Sequence, residues 1–99
     1  MRGEIDVPSS VKDDLSEAVE ILRGFGAVEV YVFGSLARGD SHAASDIDIA
    51  TIGLPKDRFF AAYGALLMKL NHSFDLVGLD YGNDFARRLR EGGQLRRVA

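Results

Sequence analysis

The stretch Phe33–Ile49 reads FGSLARGDSHAASDIDI, and its first half comes close to the pattern of a phosphate-binding P-loop. Gly34 and Gly39 have the spacing of the two glycines in G-x-x-x-x-G-K-[ST], and Ser41 stands at the hydroxyl position. Asp40, however, occupies the position of the lysine that supplies positive charge to the β- and γ-phosphates. A carboxylate there would repel phosphate, so the stretch is not a P-loop.

The second half of the stretch leads into DIDIATI (Asp46–Ile52), where acidic and aliphatic residues alternate as in a β-strand. Asp46 and Asp48 are two residues apart, so both side chains project from one face, with α-carbons roughly 6.5–7 Å apart. Carboxylates this close repel each other unless cations share them, and two Mg²⁺ ions about 3.5–4 Å apart fit between such ligands. A solvated edge strand is the alternative, and Asp-x-Asp alone favours it.

A third acid on another predicted strand changes this balance. FDLVGLD (Phe74–Asp80) is predicted to form a strand, and Asp75 lies near its start in an otherwise apolar run. A charge in such a run costs free energy unless a metal ion or a partner compensates it. Asp46, Asp48 and Asp75 are therefore candidate ligands of one cation site. Asp80 is the alternative third acid, although its position also suits a cap of the next helix.

A Gly-Ser turn, Gly34-Ser35, directly follows the apolar run VEVYVF (Val28–Phe33), which predicts a buried strand. Glycine lets the backbone approach a phosphate closely, and the serine hydroxyl and free N–H groups can donate hydrogen bonds to it. Arg38, at the end of a predicted helical turn (Leu36–Arg38), could reach the same anion with its guanidinium. The alternative is an ordinary strand-to-helix turn with Arg38 on the surface.

The order of the predicted elements indicates an α/β (α+β) fold in which helices cover a sheet. The first helix is predicted to begin after Pro8, with Asp13 and Asp14 in its first turn, and to end at Gly24 or Gly26. A second helix begins at Pro55 and a third near Asn83. The apolar residues predicted to face the core are Val11, Leu15, Ala18, Val19 and Leu22 in the first helix, Phe59, Tyr63, Leu66, Leu67 and Leu70 in the second, and Phe85 and Leu89 in the third.

Composition limits the class of protein further. The 99 residues, 46% hydrophobic and 27% charged, predict a single globular domain that spans residues 1–99. The absence of cysteine excludes disulfides, thiolate catalysis and cysteine-bound zinc. The two histidines, His42 and His72, are predicted to be solvated loop residues. No apolar run approaches the ~20 residues of a membrane span, and the N-terminus lacks a signal-peptide pattern, so we expect a cytoplasmic protein that binds no membrane.

The charge of the chain is unevenly distributed. The net charge is −3, which argues against direct nucleic-acid binding, but the segment from Asn83 onward carries +3. This basic segment is either a solvated helix face with a frayed end or a docking segment for an acidic partner or RNA. Its arginines are Arg87, Arg88, Arg90, Arg96 and Arg97.

The Gly-Ser turn, ten further residues and then Asp-x-Asp form the signature of the DNA polymerase β-like nucleotidyltransferase superfamily. The stretch GSLARGDSHAASDIDI resembles its minimal branch, the MNT-type nucleotidyltransferases, which commonly act as antitoxins beside HEPN-domain ribonucleases. The similarity covers nearly the whole chain and implies a small mixed β-sheet flanked by helices. In this family metal ions neutralise the triphosphate, so Asp40 at the lysine position does no harm.

The resemblance implies a site and a reaction. Gly34 and Ser35 would hold the triphosphate of ATP, Asp46 and Asp48 would bind Mg²⁺, and Asp75 would be the third carboxylate around two ions. The reaction is transfer of AMP from ATP to a hydroxyl group. In the resembling antitoxins this hydroxyl belongs to a tyrosine of the HEPN toxin, which implies a hetero-oligomer with that partner.

Two alternatives remain open at the level of the sequence. The chain could be an antitoxin that masks its toxin by contact alone, with a vestigial acidic site. It could also be a stand-alone nucleotidyltransferase that acts on a small molecule or on RNA. A chain this short leaves little room for a separate recognition domain, which favours a second chain as the source of the acceptor.

Overall fold

The structure, a computed structural model, describes residues 9–34, 37, 46–92 and 95–99. Within these ranges the elements of more than one residue are three α-helices, one 3-10 turn and four strands, and the three predicted strands lie within two residues of their expected bounds. The helices are α1 (Ser9–Gly24), α2 (Phe59–Lys69) and α3 (Asp84–Glu91), with a 3-10 turn (Lys56–Arg58) before α2. The strands are β1 (Glu29–Phe33), β2 (Ile47–Ile52), β3 (Phe74–Gly78) and β4 (Arg96–Arg97).

The strands form one mixed sheet in the order β3-β2-β1-β4. Strand β1 is antiparallel to both β2 and β4, whereas β2 and β3 are parallel. Parallel neighbours require a crossover connection, which the 3-10 turn and α2 supply here. The predicted small mixed sheet flanked by helices is confirmed.

Alternation along the strands divides the core between the two faces of the sheet. Helices α1 and α2 cover the larger cluster, to which β2 contributes Ile47 and Ile49. Helix α3 covers the smaller cluster, where Ala86 packs with Phe33 and Ala50. Asp48 alternates with the two isoleucines, so it belongs to the face that α3 covers, and Asp46 directly precedes the strand.

Three predictions about the helices are wrong. Phe85, expected to face the core from the third helix, is 50% exposed. Leu67, expected in the core, is 61% exposed, whereas its neighbour Leu66 is fully buried. Successive helical residues point about 100° apart, and α2 packs on one side only, so both leucines cannot face the sheet. Asp14, expected in the first turn of α1, lies beyond that turn and is buried, with 3% exposure.

The basic end of the chain is not a frayed helix end. Arg96 and Arg97 form the edge strand β4 beside β1. The backbone N–H of Val30 donates to the carbonyl of Ala99 at 3.0 Å, and the N–H of Val98 donates to the carbonyl of Val30 at 2.9 Å. These bonds fix the last residues of the chain against the sheet.

Candidate active site

The acids predicted from the sequence lie at the end of the sheet where β2 and β3 begin. The parallel register pairs Asp48 directly with Asp75, and neighbouring strands lie about 4.8 Å apart. Register partners project to the same face, so the two carboxylates share the α3 side. Asp46, just before β2, and Asp75 are exposed, and Asp48 is half-buried. The structure thus brings the three acids to one corner of the sheet.

Gly34 lies against this group at the end of β1. The antiparallel register pairs Phe33 with Asp48, and Gly34 follows with φ +68°, a left-handed conformation that favours glycine. A methyl group built on Gly34 would overlap Oδ2 of Asp48. The backbone conformation therefore favours glycine, and a side chain at this position would displace the carboxylate beside it. The sequence pattern indicated only that the backbone of Gly34 could approach a phosphate closely. The proximity of Gly34 to Asp48 follows from the register of β1 and β2.

Most of the predicted phosphate-binding part of the site falls outside the described ranges, apart from Gly34. Ser35 and Arg38 are not among the described residues, and neither are Asp40 and His42. Their roles stay predictions from the sequence. Ala37, from the predicted helical turn, is helical and packs against the larger core cluster.

The donor chemistry of the acidic corner fits Mg²⁺. Carboxylate oxygens are the ligands that Mg²⁺ takes from proteins, usually one or two together with substrate phosphates and water. Asp48 and Asp75 meet that number as register partners. Within the described ranges no three His, Cys, Asp or Glu side chains are gathered closely enough to hold a metal ion by themselves. The protein donors thus fit an ion that also takes ligands from a bound nucleotide.

Asp80, the alternative third acid, lies at the opposite end of β3. Its Oδ2 accepts a hydrogen bond of 3.0 Å from the N–H of Gly53, just beyond the end of β2. The next helix is capped by Asn83 instead, whose Oδ1 accepts from the N–H of Ala86 at 2.7 Å. Asp80 therefore neither joins the acidic corner nor caps α3.

A further acid, which the sequence reading left unassigned to any site, binds the loop that precedes β3. Oδ2 of Asp14 accepts hydrogen bonds from the backbone N–H groups of Asn71 at 2.7 Å and His72 at 2.9 Å, and lies 2.7 Å from Nδ1 of His72. Oδ1 accepts from Nδ2 of Asn71 at 3.2 Å. The His72 side chain is only 13% exposed, so the prediction that it is solvated is wrong.

The pKa of Asp14 results from two opposing effects. Burial raises the pKa, but the hydrogen bonds from the His72 ring and from the two backbone N–H groups outweigh it, so the pKa of Asp14 lies below its usual value. The folded state therefore favours the ionised carboxylate.

A lowered pKa in the folded state makes stability depend on pH. The ionised Asp14 stabilises the fold above the unfolded pKa of about 4, and this contribution is lost as the pH falls through the lower folded pKa. We expect wild type to exceed Asp14→Asn in unfolding free energy at about pH 7, and the difference to shrink at about pH 3, as measured by urea denaturation. Asp13→Asn, which alters the exposed neighbour, should follow wild type at both pH values, and an Asp14→Asn deficit that persists unchanged in acid would contradict the assignment.

Comparison with known proteins identifies the family to which the chain belongs. The family described as Polymerase beta, Nucleotidyltransferase matches residues 16–95, which include the Gly-Ser turn and all three acids. No curated protein matches the chain. In the part of the chain that the structure describes, no helix combines the length and apolar character needed to cross a bilayer.

Several solved structures share the fold. A crystal structure of a toxin–antitoxin with AMP-PNP aligns with a TM-score of 0.64 and 25% identity over 83% of this chain and 69% of that chain. A mutant of the MntA–HpeT toxin–antitoxin aligns with a TM-score of 0.62 and 22% identity over 83% and 69% of the two chains. The complex of tri-AMPylated Shewanella oneidensis HEPN toxin with MNT antitoxin aligns with a TM-score of 0.60 and 20% identity over 87% and 69%.

The family match and the fold agree with the resemblance found in the sequence. The match covers the elements that carry the acidic corner, from within α1 to the approach of β4. The prediction of a DNA polymerase β-like nucleotidyltransferase is confirmed, and the chain belongs to the Polymerase beta nucleotidyltransferase family.

Proposed function

We propose that this chain transfers AMP from ATP to a tyrosine hydroxyl of a HEPN-type toxin, and that it acts as the antitoxin in this way. The observation that carries the proposal is the register pairing of Asp48 with Asp75 beside Gly34, within a nucleotidyltransferase fold. The similar structures support the reactants, because one contains AMP-PNP and another pairs an AMPylated HEPN toxin with its MNT antitoxin.

In this proposal the acidic corner binds the nucleotide through divalent ions. Asp46 and Asp48 would hold the Mg²⁺ that accompanies the triphosphate, and Asp75 would hold a second ion together with Asp48. Bound there, Mg²⁺ would neutralise charge on the triphosphate and lower the pKa of the acceptor hydroxyl. Gly34 would let the backbone approach the phosphates, and the Ser35 hydroxyl would donate a hydrogen bond to them.

The transfer itself exchanges one bond to phosphorus for another. The acceptor oxygen bonds to the α-phosphorus while the bond from that phosphorus to the oxygen bridging the β-phosphate breaks, and pyrophosphate leaves. The hydroxyl proton goes to Asp75, which is exposed on the edge strand β3 and thus open to an acceptor from outside.

The exposed surface of α2 supports a protein partner for this chain. Phe60, Leu67 and Met68 are 83%, 61% and 87% exposed, and their spacing puts them on one side of that helix. Large apolar side chains grouped on a surface are typical of protein–protein contact. This surface therefore supports a partner protein that contacts the chain on the α2 side of the sheet, opposite to the acids.

The reaction can be tested with ATP labelled at either end of the triphosphate. The chain is incubated with Mg²⁺, the protein encoded beside it, and ATP labelled at the α- or the γ-phosphate. The proposal expects α-label, and no γ-label, on a tyrosine of the partner. Inhibition of the partner without ATP would instead support the binding-only antitoxin, and α-label on RNA or a small molecule would support the stand-alone enzyme.

A further inference from the structure

The carboxylate of Asp14 anchors the loop from which β3 emerges, and we propose that Asp14 is a positioning residue that aligns Asp75 with Asp46 and Asp48. The inference rests on the proposed function for its catalytic meaning. It adds a residue that lies outside the motif and on the opposite side of the sheet.

The local surroundings of Asp14 explain why an acid is present in a buried position. The other buried residues on that face of α1 are Val11, Ala18 and Leu22, all of them apolar. Burying a carboxylate among them costs free energy unless hydrogen bonds compensate it. The compensating bonds all come from two residues, Asn71 and His72. The acid therefore serves the loop rather than the helix that carries it.

The anchored loop is connected to the acidic corner by the next hydrogen bond along the chain. The carbonyl of Ser73, directly after His72, accepts the N–H of Ile47 at 2.9 Å. Ile47 separates Asp46 from Asp48, and Asp75 lies two residues beyond Ser73. A shift of this loop would thus move Asp75 relative to Asp46 and Asp48.

Strand β3 needs such an anchor because it lies at the edge of the sheet. In the sheet formed by the described residues, β3 pairs with β2 alone. A strand held on one side can slide or fray at its first residues more readily than a central strand. A displacement of ~1 Å in a reacting group can reduce a rate about 100-fold, so a fixed start of β3 matters for transfer.

Asp14 acts on the site indirectly. Helix α1 packs on the face of the sheet opposite to α3, and Asp48 and Asp75 belong to the α3 face. The sheet therefore separates Asp14 from any nucleotide held by those acids. This makes it a positioning residue rather than a catalytic one.

Amide hydrogen exchange tests the anchor without any reaction. The probe is the N–H of Ile47, and the reference is the N–H of Val28, which donates to Ile52 at 2.8 Å at the other end of the sheet. Asp14→Asn should accelerate exchange of Ile47 about tenfold or more relative to Val28. Val11→Ala, a buried truncation on the same helix, should accelerate exchange of both amides alike. Asp13→Asn should change the exchange of neither amide.

Binding of Mn²⁺ with a non-hydrolysable ATP analogue tests the effect on the acids. Asp14→Asn should weaken Mn²⁺ binding about 10-fold, because loss of a group that orients metal ligands typically costs about 10–100-fold. The same variant should lower kcat more than it raises KM for ATP. His72→Ala keeps the backbone N–H bonds to Asp14, so it should give a smaller change in the same direction. Val11→Ala should bind Mn²⁺ as wild type does.

The outcomes separate the two proposals. An Asp14→Asn protein with wild-type Ile47 exchange and wild-type Mn²⁺ binding would overturn the role of Asp14, whatever the activity. A wild-type protein that transfers no AMP would overturn the proposed function, while the exchange ratio would still decide whether Asp14 anchors β3.

Discussion

Asp48→Asn should lower the rate of AMP transfer by more than about 100-fold, because it alters a proposed metal ligand. Mutation of a residue that only hydrogen-bonds to a metal ligand typically lowers metal affinity or activity about 10–100-fold, so loss of the ligand itself should cost more. Asp48 is the central acid, paired with Asp75 across the strands and packed against Gly34. Asparagine keeps the size of the side chain and removes one of the neighbouring negative charges. We therefore expect the fold to persist, which circular dichroism would verify alongside single-turnover transfer of α-labelled AMP.

The matched control for this experiment is Asp80→Asn. Asp80 belongs to the same run of sequence as Asp75 but binds the N–H of Gly53 at the opposite end of β3. Its asparagine variant retains an acceptor for that bond and should transfer AMP at nearly the wild-type rate. Asp46→Asn and Asp75→Asn should resemble Asp48→Asn. Undiminished transfer by a protein that lacks both Asp46 and Asp48 carboxylates would refute the catalytic assignment.

The acids could be predicted from the sequence because a strand has a fixed period. Side chains two residues apart share a face in any strand, so Asp46 and Asp48 needed no tertiary information. Their alignment with Asp75 could not be derived in this way. Register between strands depends on how the crossover and the core fit together, and a shift of one residue would turn Asp75 to the other face.

The features that the sequence did not predict depend on contacts between distant segments. An acid near the start of a helix is ordinarily explained by the helix dipole. The sequence therefore offered no reason to expect that Asp14 accepts hydrogen bonds from Asn71 and contacts the ring of His72. Strand β4 consists of two arginines, which carry no apolar alternation, and it forms because β1 offers a free edge. The phosphate roles of Ser35 and Arg38 stay predictions.

Gly34→Ala should reduce both stability and transfer, and the two losses have separable causes. A non-glycine residue in the left-handed region costs about 1–2 kcal/mol, and φ of Gly34 is +68°. The added methyl would also overlap Oδ2 of Asp48, so the carboxylate must leave its position. Since Asp48 is the central acid of the proposed site, the rate should fall nearly as far as in Asp48→Asn.

Gly82 offers a matched control for the backbone part of this effect. It has a φ of +81°, and a methyl built there meets no atom within 4 Å. Gly82→Ala should therefore lower the unfolding free energy by only the backbone cost, about 1–2 kcal/mol, and leave transfer unchanged. The larger loss expected for Gly34→Ala measures the collision with Asp48.

A double-mutant cycle tests whether that collision is the cause. In an Asp48→Ala background the overlapping oxygen is gone, so Gly34→Ala should destabilise the protein about as much as Gly82→Ala does. The coupling between the two positions should be about 0.5–3 kcal/mol, the range for residues in contact, as obtained from urea unfolding of the four proteins. Additive losses would mean that the strand end accommodates a methyl group without moving the carboxylate, and Gly34 would then be required by its backbone conformation alone.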